Sequence, residues 1–175
     1  MEHITRQLRQ FKVDAVFGKK KHYNAAERKQ KCYKLTSCLQ IFINAITGTT
    51  LLQLVLGGEN RNTQIIALLL SIIATILSSA QKLLDYEKQA QGNSKVGDMY
   101  LEISKSTSLM LSMMADNLLT KEAIISRAEE IRNNLDQANK LGSQFSTNSS
   151  DYKKAQRGIA NGEECYTEEE LNLWE

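Results

Sequence analysis

Proline is absent from all 175 residues, glycine occurs nine times, and phenylalanine, tyrosine and tryptophan together make up 6% of the chain. Without proline, helices can run long, and so few aromatic residues leave no signal for a sheet. The three cysteines (Cys32, Cys38 and Cys165) are odd in number and lack metal-ligand spacing. They indicate neither a zinc site nor a disulfide framework and suit a reducing cytosol. The only histidines, His3 and His22, fall in a basic N-terminal stretch, expected to be exposed, with no nucleophile motif nearby. No glycine-rich loop leads into Lys-Ser or Lys-Thr. The paired acids Glu129-Glu130 and Glu168–Glu170 read most simply as solvated helix faces. No catalytic residue, metal ligand or cofactor is expected, and an enzyme is not the reading.

The most informative absence is charge. Between Lys34 and Glu59 lie 24 uncharged residues, and between Arg61 and Lys82 another 20. At ~1.5 Å per residue these windows reach about 36 Å and 30 Å, enough to cross a hydrocarbon core of ~30 Å. A buried helix of a soluble protein rarely avoids charge for so long, because one flank meets water. The mean hydropathy of −0.37 averages this apolar quarter with a polar remainder. The connector Gly57–Arg61 forces the second helix straight back beside the first. The fold class expected is an all-α membrane protein: a two-transmembrane helical hairpin with a cytosolic helical bundle, oligomeric. Residues 1–34 form basic cytosolic N-terminal helices, 35–84 the hairpin (spans of about 35–57 and 62–82), and 85–175 a cytosolic helical region and tail.

Residues 1–34 carry ten Lys/Arg against three acids, whereas residues 82–175 carry eleven against sixteen. Basic residues crowd the entry to the first span, so the positive-inside rule puts both termini in the cytoplasm. The first span also starts too late for a cleaved signal peptide.

Ile4, Leu8, Phe11 and Ala15 have helical spacing and predict a short amphipathic helix, lying on the membrane or packing on the bundle, and ending at Gly18. The second span is expected to continue as one helix through Lys82–Ala90; Gly92-Asn93 and Gly97 weaken helicity locally, yet the apolar residues around them keep helical spacing. Met99, Ile103, Met110, Met113, Met114 and Leu118 form an apolar stripe, read as bundle core rather than a partner-binding face. Thr120 predicts a helix N-cap, followed by Ile124, Ala128, Ile131, Leu135 and Ala138 on one face, with an end near Gly142. Ser143–Ser150 reads as a loop, and Thr167 with Glu170 has capping-box spacing for a short final helix.

Polar residues inside the apolar runs are the candidate functional set. On a helical wheel Gln64, Ser71, Thr75, Ser78 and Lys82 fall within about 60° and stripe the second span from mouth to mouth. The first span has a shorter alternative stripe, Gln40, Asn44 and Thr47, preceded by Ser37. Amides at membrane depth are costly against lipid and face protein or water. They serve either as interhelical glue or as the lining of a water path. One hairpin cannot enclose water, so a pore implies a homo-oligomer, tetramer or larger. The basic set Lys19, Lys20, Lys21, Arg28, Lys29 and Lys31, with Lys34, has two explanations. Topology and anionic headgroups of the membrane lipid account for it, and so does binding of a phosphate-bearing ligand.

Tyr23-Asn24-Ala25-Ala26-Glu27-Arg28 entering the first span resembles the entry motif of the SLATT family. The tight hairpin, the long helix after it and Asn148-Ser149-Ser150-Asp151-Tyr152-Lys153-Lys154 are similar as well, so the likeness covers nearly the whole chain. SLATT proteins are two-transmembrane effectors associated with SMODS nucleotidyltransferases and SLOG sensors. The resemblance implies a bacterial anti-phage effector in the inner membrane, whose cytosolic part responds to a nucleotide or oligonucleotide made by a partner nucleotidyltransferase. It implies no catalytic residues. On the residues alone, a pore and a non-conducting membrane adaptor that recruits a partner both stand.

Overall fold

The computed structural model describes residues 2–57 and 61–163. Within them the chain forms five helices: α1 (Glu2–Val55), α2 (Arg61–Leu84), α3 (Tyr86–Ala115), α4 (Lys121–Gly142) and α5 (Ser149–Ala160). No strand occurs among the described residues. The final helix expected around Thr167 and Glu170 lies outside them, as do Cys165 and the middle of the connector.

Two compact units divide the chain, residues up to Glu27 with those from Gln89 onward, and Arg28–Lys88. The second unit is the hairpin. Its helices are long and apolar enough to cross a membrane, with most apolar windows of mean hydropathy 1.4 and 2.0 that are only 6% buried. A core helix of a soluble fold of this length would be mostly covered. Here Leu35, Phe42, Leu68, Ile72 and Ile76 stand open on the outside. Among the described residues of the two apolar runs, Ile43 and Ala67 are the buried ones, and a small residue such as Ala67 lets helix backbones approach closely.

The first unit is a helical bundle. Leu8 and Ala15 of α1 pack with Val96, Tyr100, Ile103 and Met110 of α3 and with Ile124, Ile131, Leu135 and Ala138 of α4. The amphipathic N-terminal face thus takes its packing role in the bundle. The methionine stripe is partly core: Met110 is buried and Met99 and Met114 pack at its edge, but Leu118 is 67% exposed. Leu118 is exposed because α3 ends before it, with Asn117 left-handed (φ 55°) and the Leu118 N–H closing back on the Met113 carbonyl at 2.9 Å. Thr120 caps α4 as expected, accepting from the Ala123 N–H at 3.3 Å.

Two expectations change. Gly18 does not end the first helix, since α1 continues through it to Val55. Its missing side chain makes room for Tyr100, whose ring a Cβ would meet at 2.8 Å. Gly92 and Gly97 likewise sit inside α3, where they receive the rings of Phe145 and Tyr23. Nor does the second span run unbroken through Lys82–Ala90. Asp85 is left-handed (φ 41°), its N–H closing α2 onto the Gln81 carbonyl at 2.9 Å. Aspartate is among the few residues that tolerate this conformation.

Candidate functional site

The two sequence motifs, 125 residues apart, meet in the bundle. On α1, Lys20, Asn24 and Glu27 recur at i, i+4 and i+7 and so share one face. Asn24 donates through Nδ2 to the Asp151 carbonyl at 3.1 Å, and Glu27 pairs with Lys154 at 2.7 Å. Lys20 pairs with Glu163 at 2.7 Å. Phe17 stacks on Tyr152 with ring centroids 6.2 Å apart. The partner helix begins where Asn148 accepts from the Asp151 N–H and Asp151 accepts from the Asn148 N–H, both at 2.9 Å. This reciprocal cap starts α5 at Ser149. A helix over Ser149–Ala160 is therefore a finding the sequence reading left out. Its signal, an asparagine three residues before an aspartate, was present.

Under this contact lies a buried polar array. His22 is 3% exposed rather than on the surface. Its Nδ1 is 2.9 Å from Asn93 Oδ1, and its ring stacks on Tyr100 at 5.8 Å. Asn93 Nδ2 donates to the Gln89 carbonyl at 2.7 Å, so its Oδ1 acts as acceptor and His22 donates from Nδ1. Tyr100 donates to Asn139 Oδ1 at 2.6 Å. Burial pushes the Tyr100 phenol up, and the negative charge of Asp14 adds to it. Burial raises the Asp14 carboxyl too. Tyr23 donates to Asp98 Oδ1 at 2.7 Å. Its phenol is pushed up to about 12, by burial first and then by that hydrogen bond and the aspartate charge. This array anchors one stretch of α1 to α3 and α4.

The basic candidates are not one open row. Lys19, Lys20 and Lys21 belong to the bundle unit, whereas Arg28, Lys29 and Lys31 belong to the hairpin unit. Lys19 and Lys29 are buried. Lys19, Arg28, Lys29 and Lys31 all have polar or electrostatic partners, and Lys20 holds Glu163.

In the hairpin the two polar stripes meet at one point, where Gln40 Nε2 donates to Ser78 Oγ at 2.6 Å. Hydroxyls elsewhere turn onto their own helix: Thr47 to the Ile43 carbonyl, Thr75 to Ser71 and Ser78 to Ala74, each at 2.8–2.9 Å. Gln64, Ser71, Thr75, Ser78 and Lys82 are all exposed, as is Asn44, while Gln40 and Thr47 are half-buried. The side chains of Asn44, Gln64, Ser71 and Lys82 make no hydrogen bond among the described residues. At the end of the hairpin, a cavity of about 290 Å³ is lined by Tyr33, Gln40, Ser78, Gln81, Lys82 and Asp85 among others. The Gln81 Nε2 is buried with no partner among the described residues. Gln81 was not singled out from the sequence, because its place beside the stripe only matters once the helices are paired.

No curated protein and no solved structure matches the chain significantly. The family model described as SMODS and SLOG-associating 2TM effector domain family 4 matches residues 4–170, taking in the hairpin, the bundle and both motifs. The two exposed apolar helices fit its two-transmembrane description, and the chain belongs to this family of two-transmembrane effector domains.

Proposed function

We propose that this protein is a membrane effector of a bacterial anti-phage defence system that assembles as a homo-oligomer of four or more copies. The assembly forms a pore or ion channel in the inner membrane, gated by a cytosolic nucleotide or oligonucleotide from a partner nucleotidyltransferase. Both termini and the bundle face the cytoplasm, following the excess of Lys and Arg before Leu35.

The observation that carries the reading is the polar stripe on α2. Gln64, Ser71, Thr75, Ser78 and Lys82 are exposed on a helix whose other faces present isoleucine and leucine. Lipid suits the aliphatic faces, but an amide or ammonium at membrane depth is costly there. Among the described residues Ser78 bonds to Gln40 and Thr75 to its own helix, whereas the side chains of Gln64, Ser71 and Lys82 make no hydrogen bond. Those three side chains need water or neighbouring copies, and a ring of hairpins supplies both.

The test is ion flux from liposomes that contain the purified protein alone, with nucleotides added outside bundles facing out. Flux that needs a nucleotide supports the proposal. An assembled, correctly inserted protein that stays silent with each nucleotide would move the reading to the second one. That second reading is a membrane-anchored helical adaptor that recruits a partner without conducting. The Gln40–Ser78 bond favours it, since there the two stripes act as interhelical glue.

A further inference from the structure

A cavity of about 540 Å³ lies on the bundle unit along α5, lined by Ser149, Ser150, Lys153, Arg157, Asn161 and Glu163 among others. Its size falls in the range of small-ligand sites, about 300–1,000 Å³. Lys153 and Arg157 are one helical turn apart, both exposed, and neither makes an ion pair among the described residues. Like charges at this spacing repel and weaken a helix slightly, and an anion bridging them reverses the sign. Ser149 and Ser150 lie in the first turn of α5, where hydroxyls and backbone N–H groups favour negative charge. Two hydroxyls, an ammonium, a guanidinium and a terminal amide on one wall are the groups that hold phosphate oxygens.

Glu163 supplies a second, independent observation. α5 ends with Gly162 left-handed (φ 75°), the Glu163 N–H returning to the Gly158 carbonyl and the Gly162 N–H to Ile159, each at 3.0 Å. This closure folds the Glu163 carboxylate back over Gly158, so closely that a Cβ there would strike it. The same carboxylate holds Lys20 at 2.7 Å. One end of the groove thus already carries an anion, seated where only glycine leaves room. The Glu163 side chain is 65% exposed and that of Lys20 11%, so the carboxylate half of the pair is open to solvent, where a more highly charged ligand can displace it.

We propose that this α5 groove binds a ligand bearing two or more phosphates, with Lys153 and Arg157 as its principal cations and the Glu163 carboxylate as the internal anion it displaces from Lys20. The ligand class rests on the nucleotide-gated reading above, and the place rests on the groove. The full chain in detergent is titrated with inorganic tripolyphosphate, with ATP as a probe nucleotide, and with vesicles of anionic or neutral phospholipid. At least one phosphate probe binds the parent, and Lys153→Gln with Arg157→Gln weakens it by about tenfold or more, as loss of charge-assisted contacts requires. Glu163→Gln tightens it, and Lys21→Gln leaves it within about twofold. Affinity falls as salt rises, as for any contact dominated by phosphate.

Soluble phosphates that bind with this pattern identify a free ligand. Binding to anionic vesicles alone, lost in the same double variant, identifies a lipid headgroup as the source of the phosphate. Unchanged affinity in the double variant with its helical circular dichroism retained, or no binding by any probe, overturns the site. Liposome flux separates the two readings: flux without a sensitive α5 groove sinks the site alone, and a sensitive groove without flux sinks the channel alone.

Discussion

Replacing Gly97 by alanine tests how the bundle holds α1. Alanine has the higher helix propensity, so at an open site in α3 the change would stabilise by up to ~1 kcal/mol. At Gly97 the new Cβ meets Tyr23 Cε1 at 2.5 Å and Cδ1 at 2.6 Å. Carbon atoms pack at about 3.5–4.0 Å, so either the ring or the helix moves by about 1 Å. The ring is not free to swing, because its hydroxyl is held by Asp98 at 2.7 Å. Overpacking costs about 1–3 kcal/mol, which leaves a net loss of up to about 2 kcal/mol after the propensity gain. Denaturant unfolding followed by tryptophan-independent far-ultraviolet dichroism reads this as a lower midpoint. In a Tyr23→Ala background the clash is gone, and Gly97→Ala should become neutral or stabilising. Gly48→Ala is the control, since a Cβ there meets nothing within 4 Å. A Gly97→Ala protein as stable as the parent, or a loss that persists without the Tyr23 ring, would refute the close-approach account.

Leucine at Ser71, Thr75 and Ser78 together should abolish liposome conduction while insertion and assembly survive, because leucine suits lipid and closes a wet path; unchanged conductance would point to Gln40, Asn44 and Thr47 as the lining. Asn148→Ala removes one half of the reciprocal cap and should cost ~1 kcal/mol, seen as faster amide exchange confined to α5. Tyr23 ionises at about 12 in the fold against 10.0 for the free side chain. Folding therefore favours the protonated phenol: the contribution is whole below pH 10 and is lost as pH rises towards 12. Tyr23→Phe should flatten that part of an alkaline unfolding profile, and an unaltered slope would mean that the Tyr23 phenol is neither buried nor held by Asp98 in solution. Gln40→Leu should cut the link between the stripes, lowering the stability of the hairpin in detergent by ~1 kcal/mol, with a change in its migration on mild-detergent gels as the readout.

Much of the architecture was written in one dimension. Two uncharged windows of 24 and 20 residues can be counted without any fold, and their length against the bilayer decides what they are. The α4 face from Ile124 to Ala138 and its Thr120 cap follow from local spacing in the same way. Glycine was where local reasoning went astray. Gly18, Gly92 and Gly97 carry low helix propensity, which reads as a break or a weakness. Each is helical because an aromatic ring from elsewhere fills the space that its missing side chain leaves.

The candidate site divides along the same line. The amino-acid order by itself determined an all-helical chain with a two-span hairpin, its basic entrance and its polar stripes, since those depend on composition and on a fixed rise and turn per residue. Only the tertiary structure decided that His22 is buried on Tyr100, that Lys19 and Lys29 are covered, and that Asn24 and Glu27 grip Asp151 and Lys154. It also decided which cations line a groove, Lys153 and Arg157 rather than Lys19 and Lys29. A lysine's charge is legible in the sequence, but its partner is chosen by chain segments more than a hundred residues away, which meet only when the helices pack.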